Sequence, residues 1–144
     1  MALKLVVGLD GSGGNRALAH AKRLARMVEG AELILVYVIE WSPFTFQTAE
    51  ENAERHKRRE EEIATARTRV LTPAEEAARR DGFQVQAIVR HGKVADLLNA
   101  VAIETNADQI VVARAAGEGI SARIFGSSTA ALVMSASVPV TVVA

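Results

Sequence analysis

The sequence predicts an α/β protein, a three-layer α/β/α sandwich built on one five-stranded parallel sheet. Three observations carry that expectation. Short runs rich in Val, Leu and Ile recur five times, over 4–9, 32–39, 83–90, 108–114 and 139–144. Segments with helical apolar spacing separate them, and glycines punctuate the passages between strand and helix. Strands alternating with helices pair in parallel through right-handed crossovers, with helices covering both faces of the sheet.

Each element follows from its local pattern. Lys4–Leu9 (KLVVGL) is apolar without alternation, as a strand covered on both faces is, and Asp10-Gly11 ends it. After a turn over 10–15, residues 16–29 put Leu18, Ala21, Leu24, Ala25 and Val28 on one helical face, with Gly30 as the stop. Glu32–Ile39 is a second buried strand. The 41–46 loop carries Trp41, Phe44 and Phe46, which cover the sheet's end or face a partner. Residues 48–70 form a charged, solvated helix in which Glu51–Arg55 and Glu54–Arg58 have the favourable i,i+4 order. Thr72-Pro73-Ala74-Glu75 reads as a restart, with Thr72 as N-cap, Pro73 at the first helical position and Glu75 closing a capping box. A kink or break is expected there, because proline removes a backbone bond. Asp81-Gly82 ends that helix.

Phe83–Arg90 is a third strand, alternating at first as an edge strand does, and His91-Gly92-Lys93 is a surface turn. Val94, Leu97, Leu98, Val101 and Ala102 mark the stripe of the next helix. Asp108–Arg114 is strand four, a helix opens at Thr129, and Pro139–Ala144 is strand five.

A chain of 144 residues fits a single domain, 1–144, which buries roughly two-thirds of its unfolded surface without a covalent staple. The absence of cysteine excludes disulfides, thiolate chemistry and Cys-based metal sites. Seventeen basic residues balance seventeen acidic ones, so there is no net basic field and nucleic acid is not an expected partner. No apolar run is long enough to span a membrane, the N-terminus reads as a strand, and a cytoplasmic location is expected. His20, His56 and His91 have no ligand-like spacing, so no metal residues are expected.

The chemistry concentrates over 110–128 (IVVARAAGEGISARIFGSS): a strand, a glycine loop, then hydroxyls ahead of a helix. Unpaired N–H groups and the dipole at a helix start make such a stretch able to hold an anion. Ser127 and Ser128 hold phosphate or cap the helix, and Arg114 and Arg123 are charge partners within reach of a phosphate. Asp10 contacts a ligand or caps its own loop through the Gly13 and Gly14 N–H groups. No residue can be named as a general base or nucleophile.

Three signatures, in order, resemble the universal stress protein family over essentially the whole length. They are Leu5-Val6-Val7-Gly8-Leu9-Asp10-Gly11-Ser12, then Gly92 before a helix leading to Ala107-Asp108-Gln109-Ile110-Val111-Val112. The third is Gly126-Ser127-Ser128 before the final helix and Val138-Pro139-Val140-Thr141-Val142-Val143. The resemblance implies a Rossmann-like, adenine-nucleotide-hydrolase-like sheet of order 3-2-1-4-5. It also implies a non-enzymatic stress-response protein that forms a homodimer by pairing its last strand, 139–144. Many members bind ATP and others do not. The family's binding pattern is Gly, two residues, Gly, nine residues, Gly, then Ser or Thr. Anchored on Gly126 and Ser127, it puts Ala113 and Ala116 where the first two glycines stand, while Asp10 and Val38 match adenine-side positions. The nucleotide-contact set is therefore Asp10, Val38, Ala113, Arg114, Ala116, Gly126, Ser127 and Ser128. The ligand is ATP or AMP, with Mg2+ only beside ATP. If both alanines had to adopt the left-handed conformation, the cost would be about 2–4 kcal/mol, roughly 30- to 1,000-fold in affinity. Two other readings stand beside this one. The first is a nucleotide-free interaction module of the same fold. The second is an ATP-using hydrolase or pyrophosphatase, because Ser12-Gly13-Gly14-Asn15-Arg16-Ala17 resembles the Ser-Gly-Gly-x-Asp-Ser loop of ATP pyrophosphatases, with Arg16 and Ala17 replacing the Asp and Ser.

Overall fold

The computed structural model describes residues 3–9, 15–40, 49–114 and 120–144, with the backbone alone over 120–127. Its elements run β1 (Lys4–Leu9), α1 (Arg16–Arg26), β2 (Glu32–Ile39), α2 (Ala49–Ala66), a π-helical segment (Arg67–Leu71), α3 (Thr72–Arg80), β3 (Gln84–His91), α4 (Val94–Thr105), β4 (Gln109–Ala113), α5 (Ile120–Ser135) and β5 (Val140–Val143). The five strands form one sheet of order β3-β2-β1-β4-β5, and every neighbouring pair is parallel. This is the predicted architecture.

The unbroken apolar reading of β1 has a direct cause. Leu5, Val7 and Leu9 pack on one face of the sheet with α1, the π segment and α3. Val6 packs on the other with Leu98 and Val101 of α4 and Leu132 of α5. A strand with a core on both sides has no position left for a polar residue. The sheet's two edges differ. β3 has eight residues with Gln84 and Gln86 exposed, whereas β5 has four, with Val142 exposed.

Several boundaries depart from the sequence expectation. The chain does not break at Thr72. It passes through the π segment, where the Thr72 N–H donates to the Arg67 carbonyl five residues back. Pro73 has no N–H, and its ring crowds the carbonyl four residues earlier; the wider turn accommodates both. The helix therefore has no free N-terminus at Thr72, and no side-chain cap forms there. The last helix opens at Ile120, not Thr129. Ser121 to Phe125 contain no breaker, and one internal glycine, Gly126, costs only about 1 kcal/mol. Ser127 and Ser128 thus lie inside α5 and do not cap it. α1 ends at Arg26, and Gly30 takes the left-handed turn beyond it (φ 78°). His91 belongs to β3, opposite Ile39, so the turn is shorter than expected. β5 starts after Pro139, which has no N–H to give but whose carbonyl accepts from the Ile110 N–H at 3.0 Å.

Two ion pairs tie elements together at the surface. Arg90 of β3 grips Glu104 of α4 through both guanidinium nitrogens, at 3.1 and 2.6 Å. Lys22 of α1 meets Asp81, just past α3, at 3.0 Å. The hydrogen bond from Arg90, then its charge, holds the Glu104 carboxyl below its usual range. The hydrogen bond and charge of Lys22 do the same for Asp81, with Arg26 and Arg80 adding to it. A carboxyl whose folded value is depressed stabilises the fold above its unfolded value, and that contribution is lost as pH falls through the folded one. We expect a D81N/E104Q variant to have a lower urea midpoint than the parent at pH 7. The gap should close at pH values below the ordinary carboxylate range. A gap that persists in acid would show that these pairs do not shape the acid limb.

Candidate functional site

A narrow cleft opens beyond the carboxyl ends of the central strands. Gly8 and Leu9 of β1, Val36 and Val38 of β2, and Val112 and Ala113 of β4 form its floor and one wall. Val94 and Leu98 of α4 and Ser128, Thr129 and Leu132 of α5 form the other. Gly8 keeps it open. A Cβ there would stand 3.1 Å from Val112 Cγ1 and 3.2 Å from Leu98 Cδ1, so a side chain would displace one or the other. The cavity measures about 30 Å3, room for roughly two waters. Its lining side chains are mostly apolar; the polar ones are Ser128 and Thr129 of α5, and the Ser128 hydroxyl donates to Glu40 Oε1 at 3.4 Å.

A smaller recess of about 10 Å3 lies beside Ala113, between Gly8, Leu9 and the start of α1 at Asn15, Arg16 and Ala17. Asn15 adopts a left-handed conformation (φ 42°, ψ 39°) without a side-chain cap bond. Arg16 Nη2 donates to the Arg114 carbonyl at 2.5 Å, and the Arg114 N–H donates to the Val143 carbonyl at 2.6 Å. Two guanidinium-bearing residues are thereby fixed where β1 and β4 end.

Of the predicted contact set, Val38, Ala113 and Ser128 line the cleft together, and Arg114 is held at its edge by Arg16. Gly126 and Ser127 lie in the first half of α5, where the backbone alone is described. Asp10 and Ala116 lie outside the described residues, as do Gly117, Gly119 and the Trp41 loop. Ala113 is an extended strand residue in register with Val143. The penalty expected for left-handed alanine therefore does not arise at that position. His91 is not a surface turn residue. Its ring is largely buried and lies 3.1 Å from Glu62 Oε2, joining β3 to α2.

Two residues of the site were not singled out from sequence. Gly8 passed as part of an apolar strand, although glycine inside a strand often marks a close approach. Arg16 sits in the first turn of α1, where the helix dipole disfavours a cation. That misfit was the signal, and the Arg114 carbonyl is the acceptor that resolves it.

The sheet order reverses between β1 and β4, and the cleft lies just beyond their carboxyl ends. This is the switch-point geometry of doubly wound α/β proteins that hold ligands outside the strand ends. Within that class, the chain belongs to the universal stress protein family, whose family model matches residues 1–144. Among solved structures it is similar to the universal stress protein UspA from Lactobacillus plantarum, at 20% identity and TM-score 0.79 over 99% of this chain and 97% of that one. It is also similar to a universal stress protein solved in complex with cAMP, at 22% identity and TM-score 0.67, covering 99% and 97%. A universal stress protein from Archaeoglobus fulgidus in complex with dAMP matches at 21% identity and TM-score 0.64, covering 99% and 98%. No curated protein matches the chain.

Proposed function

We propose that this universal stress protein binds an adenine nucleotide at the strand-end cleft, acts as a homodimer, and works as a sensor without catalysing a reaction. The cleft floored by Gly8 is the observation that carries the reading. A Cβ at Gly8 would crowd Val112 and Leu98, and the glycine leaves the strand end bare for a close approach, as glycines inside strands often do. The base lies against Val38 and Leu98. The phosphates lie towards Arg114, Arg16 and the N-terminal half of α5, with Asp10, Ala116, Gly126, Ser127 and Ser128 completing the set. Mg2+ enters only with ATP. The relatives bound to cAMP and dAMP support an adenine ligand.

A purine does not fit into about 30 Å3, since small-molecule sites run to about 300–1,000 Å3. Binding in this reading therefore requires the α5 wall to move away from α4. Exposed Val133 and Met134 of α5 and Val142 of β5 support a dimer contact over 139–144.

The test is the nucleotide content of gently purified protein, followed by calorimetric titration with AMP and with Mg-ATP. A near-stoichiometric adenine nucleotide, or saturable heat, is expected. An empty preparation that gives no heat at millimolar nucleotide would overturn the reading in favour of a nucleotide-free interaction module, which the narrowness of the cleft favours. Ala113→Gly is expected to leave affinity unchanged and to cost about 0.5–1 kcal/mol of stability, because it places glycine inside a strand. Any gain from restoring a glycine should come from Ala116→Gly.

A further inference from the structure

On the face of the sheet opposite the cleft, α1 and the helix that follows the π turn leave an open groove of about 700 Å3. Lys22, Arg23 and Arg26 line it from α1 and Arg69 from the π segment, over an apolar floor that includes Leu18 and Val70. The chain as a whole is electrically neutral, so four cations here are a local concentration. Asp81 is the carboxylate among the described lining residues, and Lys22 already holds it at 3.0 Å. The Arg26 guanidinium lies 5.5 Å over the Phe83 ring. Arg23 and Arg69 are exposed and have no ion pair among the described residues. The α1 dipole accounts for cations in its last turn, Arg23 and Arg26. It does not account for Arg69, which comes from the π segment and faces them across the groove.

We infer that this groove is a second ligand site, taking a small oligophosphate ester. Its phosphates lie on Arg23, Arg26 and Arg69, and its apolar portion lies on Leu18 and Val70. Guanidinium groups match phosphate oxygens two at a time. The volume falls in the range of small-molecule sites, about 300–1,000 Å3. Leu18 to Arg26 spans only about 12 Å at the helical rise, too short a basic track to favour a nucleic acid strand. The groove is separate from the strand-end cleft, and the inference does not depend on nucleotide binding there.

The experiment is isothermal titration of the whole protein with sodium tripolyphosphate, without divalent metal and at about 0.15 M ionic strength, where the Debye length is about 8 Å. Saturable binding is expected. Arg23→Glu and Arg69→Ala, on opposite walls and both exposed, should each weaken it by about tenfold or more. Lys57→Glu, the same charge reversal on exposed α2, should weaken it by less than about twofold, because a distant surface charge is screened. Circular dichroism should show each variant folded, and AMP titration should be unaffected by Arg23→Glu. No saturable heat would overturn the inference, as would equal weakening by Lys57→Glu. Loss of binding in Gly8→Val but not in Arg23→Glu would move the anion to the other cleft. A 20-nucleotide RNA that binds more tightly than tripolyphosphate and depends on Arg23 would replace the small ligand with nucleic acid.

Discussion

Gly8→Val is expected to reduce adenine-nucleotide affinity by about 100-fold or more, equivalent to about 2.7 kcal/mol. The reason is geometric. The first added carbon already stands within 3.2 Å of Leu98 and 3.1 Å of Val112, and the two further methyls extend into a cavity of about 30 Å3. Stability should fall by a comparable amount or less, which leaves the protein folded. Overpacking costs about 1–3 kcal/mol, and the strand preference of valine over glycine returns up to about 1 kcal/mol. Calorimetric titration beside a thermal melt separates the two effects. A folded Gly8→Val protein that binds nucleotide as well as the parent would place the ligand somewhere other than this cleft.

Leu98→Ala should do the reverse at the same spot. Leu98 is 1% exposed and packs in the core between α4, α5 and the sheet. Removing three carbons from such a position costs about 2–5 kcal/mol, the spread reflecting how far the neighbours collapse. For a domain of this size that corresponds to a fall in melting temperature of about 5–20 °C. Because Leu98 also lines the cleft, the variant enlarges the space that Gly8→Val fills. Nucleotide binding should survive wherever the protein remains folded. A fall of less than about 2 °C would mean that the helix closes over the gap, and with it that the cleft wall is mobile.

The sheet was legible in the sequence because its strands are buried on both faces. Runs such as KLVVGL and ELILVYVI, short and bounded by turn residues, put their apolar side chains into the cores on the two faces of the sheet. The strand order came with the family resemblance, and the observed pairing agrees with it. What was not legible depended on backbone hydrogen bonding that leaves little trace in composition. Thr72-Pro73 carries every local mark of a helix start, yet the preceding helix runs on through a π turn. Gly126-Ser127-Ser128 looks like a cap, yet the residues before it are helix-compatible and the helix simply starts earlier. Val38 and Ala113, which stand at positions the family pattern marks, and Ser128, which follows its Gly126-Ser127 pair, line the cleft together. Gly8 and Arg16 were missed because their meaning lies in what stands opposite them: Val112 and Leu98 in one case, the Arg114 carbonyl in the other. Ala113 was given a conformational cost that its place in β4 removes.

The unlike edges of the sheet bear on what kind of assembly the molecule can build. A β5 edge joined to the β5 edge of a second copy is a two-fold contact, self-complementary and closed, and it uses up the short valine-rich rim. A β5 edge joined to a β3 edge would be a head-to-tail contact, which gives a fibre unless its rotation closes a ring. The β3 rim presents Gln84 and Gln86 to solvent, with Arg90 and His91 at its far end, a poor match for a row of valines. The chemistry that distinguishes one margin from the other thus favours a finite particle over a growing polymer.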